Sequence, residues 1–495
     1  CLPRTAACRP SLRERDTVQP DILFTNAYHI SNDHHEQITM RPYPALGPLY
    51  VAAYLREHGY GVAFFDSVFQ TNEDALLENV RLLKPRFVGV SALVIGRAVA
   101  KEQIRRLKEL GCTVIAGGPD PSIVPGMYLR EFGADYVVVG EGEYTARDLL
   151  DCLTGRTARP IDEVTGIAFL RDGAVKMTKG RDKIKDLDGL PWPARDLMDF
   201  TPYLAAWRDR HGYSSVHLLT SRGCPFRCNW CSKGVYGKTF RVRDPHDVAR
   251  EMRWLQDTYQ PERLWVADDL IGVRRQWVTA WRNAVLEADA AMPFECLSRA
   301  DLLTPQMLAE LREIGCFRVY FGAESGSQRI LDAMQKDSKV EDIRAAATML
   351  KDAGIERGFF MMLGYPPEDL SDIRLTERML MDIVPEMVGF SVAYPLEGTP
   401  FHDKVKAQIP LQAEQWQSGN ENRVLFNAAY STRFYAATIQ RLQARLRLKR
   451  RSRFDRKVPV DLAKVAYYSL KAARARRDRR PRTLPQAGPG FSHNG

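Results

Sequence analysis

Three cysteines fall within eight residues of the segment SRGCPFRCNWCSKGVYG (residues 221–237), at Cys224, Cys228 and Cys231. The chain has nine cysteines, and the other six (Cys1, Cys8, Cys112, Cys152, Cys296 and Cys316) are scattered. Thiolates bind soft metals and iron–sulfur clusters. A closed structural zinc site takes four protein ligands, often as two distant C-x2-C pairs. No second pair occurs here. His246 follows a proline at a predicted helix start, where capping or surface exposure is the commoner role. Three ligands leave one metal position open, and an open position is where a metal does chemistry.

The elements that must position this loop come from hydrophobic periodicity. VHLLTS reads as a strand running into the cysteines. It is followed by DVAREMRWLQDTY (helix), RLWVADD (strand), QWVTAWRNAVLEA (helix), FECLSR (strand) and TPQMLAELREIG (helix). FRVYFGAE, VEDIRAAATMLKDAG, ERGFFMMLG, LSDIRLTERMLMDI and MVGFSVAYP continue the alternation. Six such repeats fall short of the eight of a closed barrel and predict a partial (βα)6 barrel over 211–405. Chemistry-bearing residues cluster just after its strands: the cysteines, Asp268 and Asp269, Ser298 and Arg299, and Glu324. In parallel α/β barrels that rim is the active-site face.

The C-x3-C-x2-C spacing after a barrel strand, with Trp230 before the last cysteine, resembles the radical S-adenosylmethionine (SAM) superfamily. The resemblance implies a [4Fe–4S] cluster on Cys224, Cys228 and Cys231, with SAM as ligand to the fourth iron. One-electron cleavage of SAM would then give a 5′-deoxyadenosyl radical. On the same resemblance Trp230 lies beside the adenine. VADDL offers Asp268 and Asp269 to the methionine amino group, and LSRAD offers Ser298 and Arg299 to its carboxylate. FGAESGSQRIL places Glu324 at the ribose or amino group, and FFMMLGYPPED resembles the fifth-strand Gly/Pro motif. Read without it, a strand-end acid is as readily a helix cap or a surface ion pair.

Residues 21–150 alternate strands (DILFTNA, GVAFFD, RFVGVSAL, TVIAGG, ADYVVVGEGE) with helices of about ten residues, which predicts a doubly wound parallel sheet. Ligands in such sheets bind at the strand C-termini. Ser91 and Leu93 end one of those strands, and Gly117 and Gly118 end the next. An isolated Gly-Gly is a tight turn. Paired with Ser-x-Leu one strand earlier, it resembles the cobalamin-binding domain, where these residues bury the nucleotide tail. VVGEGEYTARDLL, with Glu141, and RPYPALGPLYVAAYLREHGY resemble the cobalamin-binding radical SAM family, over roughly 21–405. The Asp-x-His-x-x-Gly motif that supplies an axial histidine elsewhere is absent. His29, His34 and His35 lie in the corresponding loop at other spacings, where a histidine is ordinarily solvated.

The expected architecture is therefore α/β: a Rossmann-like cobalamin-binding domain (21–150), a connector (151–210) with a hairpin at Asp172-Gly173, the barrel, and a helical basic C-terminal region (406–495). Residues 1–20 and the last fifteen or so read as disordered. The resemblance implies cobalamin-dependent radical methylation of an unactivated carbon or phosphorus centre in a small-molecule or lipid-like substrate, with a low-potential electron donor. Oxidative cyclisation, as in the anaerobic magnesium-protoporphyrin monomethyl ester cyclase class, is the alternative. A tRNA-modifying radical SAM enzyme is the third reading, but residues 21–150 lack the cysteines that such an enzyme carries there.

Hydrophobic residues make up 45% and charged residues 27%, an ordinary globular balance. No apolar run reaches the ~18–20 residues of a membrane span. The first twenty residues lack the apolar core of a secretory signal, and an odd, scattered cysteine set points to a reducing cytosol. The net charge of +10 is uneven: residues 433–482 hold 18 Lys/Arg against three Asp. A solvated tail, contact with an anionic membrane surface at the periphery, and nucleic-acid binding are its readings in that order, since no nucleic-acid module accompanies the charge.

Overall fold

The computed structural model describes residues 19–409, 424–452 and 455–476. Cys1, Cys8, the expected N-terminal extension and the expected disordered end lie outside them, apart from Gln19 and Pro20.

The first sheet has seven strands in the order β2-β1-β3-β4-β5-β6-β7: β1 Ile22–Asn26, β2 Val62–Phe65, β3 Phe87–Ser91, β4 Thr113–Gly117, β5 Tyr136–Val138, β6 Ile167–Arg171 and β7 Ala174–Met177. The first five are parallel. Their near-continuous apolar runs are those of strands covered on both faces. One face packs Leu23, Val88, Val90, Val114 and Ala116 against one helix layer. The other packs Ile22, Phe24, Phe87 and Ile115 against the helices Leu46–Glu57 and Gly142–Leu153. The hairpin expected inside a connector joins this sheet instead, antiparallel to β5. Its turn puts Asp172 at φ 51° and Gly173 at φ 76°, the left-handed pair that suits a two-residue hairpin.

The second sheet has six parallel strands in the order β15-β14-β13-β12-β11-β8: β8 Ser215–Leu218, β11 Arg263–Val266, β12 Phe294–Ser298, β13 Cys316–Glu324, β14 Glu356–Leu363 and β15 Met387–Val392. This is the open six-repeat barrel. Alternate residues (Val216, Leu264, Phe294, Val319, Phe359) face a large helix-covered core. Burying each such side chain contributes roughly 1.5–3 kcal/mol. Cys296 and Cys316 are buried there, and Cys112 and Cys152 are half-buried in the first unit.

Two elements escaped the sequence reading. The helix Thr201–His211 buries Trp207, whose indole donates to the Pro42 carbonyl at 2.8 Å. A two-stranded clamp, β9 Ser221–Arg222 with β10 Arg241–Val242, closes the cysteine loop at its base. Beyond the barrel, the helix Thr432–Arg450 packs Phe434, Ile439, Leu442 and Leu446 into the barrel core. The helix Val458–Ala475 lies against it, held by Asp461 to Arg447 (3.0 Å) and Arg451 (2.9 Å).

Candidate active site

The cysteine loop leaves β9 through Gly223, at φ 87°, where any Cβ would collide with the Thr239 carbonyl. Only glycine fits that turn. Asn229, between Cys228 and Trp230, fixes the loop from four sides. Its amide N–H donates to the Met334 carbonyl (3.1 Å) and its side chain to the Ala333 carbonyl (3.0 Å). Its Oδ1 accepts from Tyr365 (2.7 Å), and its carbonyl accepts from the Phe401 amide (3.0 Å). Cys224 and Cys228 are half-buried. Burial raises the Cys224 thiol, opposed by the Phe226 amide and Lys233. Cys231 is open to solvent contact. The mass of protein around it still desolvates the thiol, which Cys228 and Cys224 help to push up to about 11. Among the described residues no three His, Cys, Asp or Glu side chains gather around a single ion. Three thiols on one short loop could supply three of the four ligands of an iron–sulfur cluster.

A buried polar rim surrounds the loop. Arg299, 5% exposed, lies over the Phe226 ring at 3.7 Å and within 3.7 Å of the Cys228 sulfur. It is held by Asp301 (2.9 Å) and the Lys336 carbonyl (2.8 Å). Glu324 closes β13 in the left-handed region at φ 58°. Its carboxylate is 3.5 Å from the Lys336 ammonium, which stands 5.4 Å over the Trp230 ring. Burial raises the Glu324 carboxyl, and Lys336 pulls it back. Asp268 accepts from the Thr220 amide (2.7 Å) and Ser221 hydroxyl (2.6 Å), tying β11 to the base of the loop. Burial pushes its carboxyl up to about 6. Ser298 donates to the Ile271 carbonyl (2.8 Å).

A cavity of about 740 Å³ lies between the first sheet and the cysteine loop. Its floor is the C-terminal edge of the first sheet, with Ser91, Leu93, Gly117 and Gly118, where strand order reverses between β1 and β3. Its roof is Ser232–Gly237 of the cysteine loop together with Asp269. An apolar slot runs from it between the sheet (Phe24, Ile115, Val138) and Gly142, Ala146 and Leu150 of the covering helix. Gly118, at φ 101°, faces Ser91, whose Oγ would lie 3.1 Å from an added Cβ. Below the roof, Glu141 accepts from Arg241 (2.8 Å), Arg222 (3.0 Å) and the Ile184 amide (3.0 Å). Arg222 also pairs with Glu143 (2.6 Å). These buried pairs join the units.

Two family models match, the B12 binding domain over residues 41–150 and the Radical SAM superfamily over 218–380. The chain therefore joins a B12 binding domain to a radical SAM domain. An uncharacterised methyltransferase of Pyrococcus horikoshii is 26% identical over 76% of this chain and 81% of its own length. The anaerobic magnesium-protoporphyrin IX monomethyl ester cyclase of Rubrivivax gelatinosus is 27% identical over 73% of this chain and 65% of its own. The solved structure of the cobalamin-dependent SAM radical enzyme OxsB with aqua-cobalamin bound shares the fold. Its TM-score is 0.71 at 17% identity, covering 92% of this chain and 72% of that one.

For a radical SAM enzyme of this kind, the structure gathers the sequence-predicted residues into two groups. Cys224, Cys228, Cys231, Trp230, Arg299 and Glu324 crowd one rim. Ser91, Leu93, Gly117, Gly118 and Glu141 line the cavity, and Asp269 borders both. The carboxylate of Asp268 and the hydroxyl of Ser298 are taken up by backbone and loop partners, and the carboxylate of Glu141 by arginines. None of the three loop histidines lines the cavity. His34 and His35 are exposed, whereas His29 is buried 3.3 Å from Glu73 rather than solvated. Asn229, Lys336 and the slot residues Gly142, Ala146 and Leu150 were missed. The small residues of GEGEYTA one strand after Gly-Gly were the available signal for the slot.

Proposed function

We propose that this protein is a cobalamin-dependent SAM radical methyltransferase acting on an unactivated carbon or phosphorus centre. The observation that carries the reading is the single cavity linking Gly117-Gly118 to the underside of the cysteine loop. A methyl donor in the first unit and a radical generator in the second would share one substrate. Cys224, Cys228 and Cys231 would hold the [4Fe–4S] cluster. Trp230, Arg299, Glu324 and Lys336 would hold SAM, with Asp269, Asp268 and Ser298 shaping the same rim. Ser91, Leu93, Gly117 and Gly118 would cradle the cobalamin, with Glu141 fixing the wall. When bound, these groups supply hydrogen-atom abstraction and a transferable methyl.

The protein's own contribution is positional. Arg299 and Lys336 present fixed cations to a carboxylate, a geometry suited to charge-assisted hydrogen bonds. The Glu141–Arg222–Arg241 pairs hold the cavity walls, and the apolar slot excludes water. Oxidative cyclisation remains the second reading, favoured by the likeness to the Rubrivivax gelatinosus enzyme. The test is anaerobic turnover of the reconstituted protein with SAM and a low-potential reductant. A methyltransferase forms S-adenosylhomocysteine as well as 5′-deoxyadenosine. A cyclase forms 5′-deoxyadenosine alone.

No helix among the described residues is long and apolar enough to cross a membrane. We place the protein in the cytoplasm, with its last described helix on an anionic membrane surface. On Val458–Ala475, Val460, Leu462, Tyr467 and Leu470 are exposed among exposed Lys464, Lys471 and Arg474. Exposed apolar and basic side chains on one helix would let it rest on an anionic interface, which would suit a lipid-like substrate.

A further inference from the structure

The concave face of the barrel sheet carries an aromatic surface that the cofactor rim does not use. Alternation sends Val266, Phe321 and Phe359 outward into the helix-covered core. It turns their neighbours Trp265, Tyr320 and Phe360 inward. The Tyr320 and Phe360 rings stack at 5.3 Å and 15°, and Trp265 meets Tyr320 edge-on at 5.9 Å. Register places Gly358 beside Tyr320 and Gly389 beside Phe360. A Cβ on Gly358 would land in the Tyr320 ring, and one on Gly389 would stand 3.1 Å from the Phe360 ring. These glycines clear space for the stack.

The stack is open. Phe360 is 39% exposed although its strand, β14, is flanked on both sides, and Gly389 and Ser391 beside it are exposed. A large ring on an inner strand is normally covered, and an uncovered one marks a contact surface. Phe360 pairs with Gly322, two residues before Glu324, so the ring lies about 7 Å along the strand from the rim. At the edge of the stack stands Arg41, from the loop before helix Leu46–Glu57. Its Nη1 donates to the Tyr320 hydroxyl at 3.4 Å, and the same residue lines the cavity of the first unit. Among the described residues no carboxylate forms an ion pair with it.

We infer that this surface is the substrate platform, and that the substrate is an apolar, planar ring system bearing an anionic group. The ring would lie on Phe360, which Tyr320 backs, with the anion at Arg41. This rests on the cobalamin-dependent radical SAM reading, because it places the substrate between the two cofactor sites. The Phe360 face offers stacking and apolar area, and Arg41 offers a charge-assisted contact, since the carboxylate that acts on it, Glu295, is itself paired with Arg318.

The test uses 2-naphthoate, a planar ring with one carboxylate, and the neutral 2-naphthalenemethanol as probes. Binding to the reconstituted full-length chain is measured by equilibrium dialysis, with iron and corrin determined on the same samples. The expected result is saturable naphthoate binding, weakened at least tenfold by Phe360→Ala and by Arg41→Met. Phe360→Ala should weaken the neutral probe too, and Arg41→Met should leave it unchanged. Phe360 is exposed and lies outside the cavity, so Phe360→Ala should retain full iron and corrin, and Arg41→Met is compared with the parent chain at equal corrin content. No saturable binding, or binding indifferent to both substitutions, in protein with its full iron and corrin overturns the platform and leaves the cofactor reading standing. Probe binding that follows the expected pattern in protein unable to take up iron or corrin keeps the platform and overturns that reading.

Discussion

The guanidinium of Arg299 lies 3.7 Å from the sulfur of Cys228, its face on the Phe226 ring. A fixed cation at this distance favours the more negative, reduced state of anything the thiolate ligates. Arg299→Met should therefore lower the cluster's midpoint potential, by on the order of 50–100 mV for a charge at partly screened range. Redox titration followed by electron paramagnetic resonance reads the shift. An unchanged potential would mean that Arg299 does not act on the cluster through its charge.

Gly117→Leu separates the two cofactors. A Cβ there stands 3.8 Å from Val138, an ordinary contact, with no positive φ to resist it. The added side chain should fill the cavity without straining the chain. Bound corrin should fall to about a tenth while iron is unaffected. Equal loss of both would indicate misfolding instead.

Glu368 gives a pH dependence. It is 2% exposed; its Oε2 accepts from the Gly364 amide (2.6 Å), and its Oε1 has no partner. Burial pushes its carboxyl up to about 8. The folded state thus binds a proton that the unfolded chain releases near its ordinary value, about 4.3. Its contribution is full below that value and is lost as pH rises toward 8, roughly 3–5 kcal/mol across the window. Glu368→Gln should flatten the fall in unfolding free energy between about pH 5 and 8. A slope identical to that of the parent chain would contradict the assignment.

The basic helix is tested on its surface. Truncation before residue 433 would remove Phe434, Leu442 and Leu446 from the barrel core, so a deletion would report folding, not docking. Tyr467→Asp with Leu470→Asp leaves the Asp461 anchor intact. The pair should reduce co-sedimentation with anionic phosphatidylserine vesicles several-fold relative to the parent chain. Equal sedimentation of both proteins would remove the membrane reading.

Much of this architecture was legible because long strands and helices carry strong periodicity, as in RFVGVSAL and VEDIRAAATMLKDAG. The cysteine loop was legible because thiol spacing is set by chemistry. What escaped has no local signal. The β9–β10 clamp is two residues per strand, too short for any period. The hairpin looked like a connector because its partner, β5, lies about thirty residues earlier. Asn229 owes its role to contacts more than a hundred residues away in sequence, and Lys336 owes its role to Glu324, twelve residues earlier, and to Trp230, more than a hundred. Asp268 and Glu141 were placed correctly at the strand ends, but their carboxylates turn to Thr220, Ser221, Arg222 and Arg241, which only three-dimensional packing reveals.

The most direct test of the central claim is cofactor content: anaerobic reconstitution with iron, sulfide and hydroxocobalamin, followed by iron, sulfide and corrin analysis per chain. The account predicts about four irons and one corrin, with iron lost and corrin kept when Cys224, Cys228 and Cys231 are replaced by alanine. Zinc in place of iron, or a full cluster with no corrin, would contradict it.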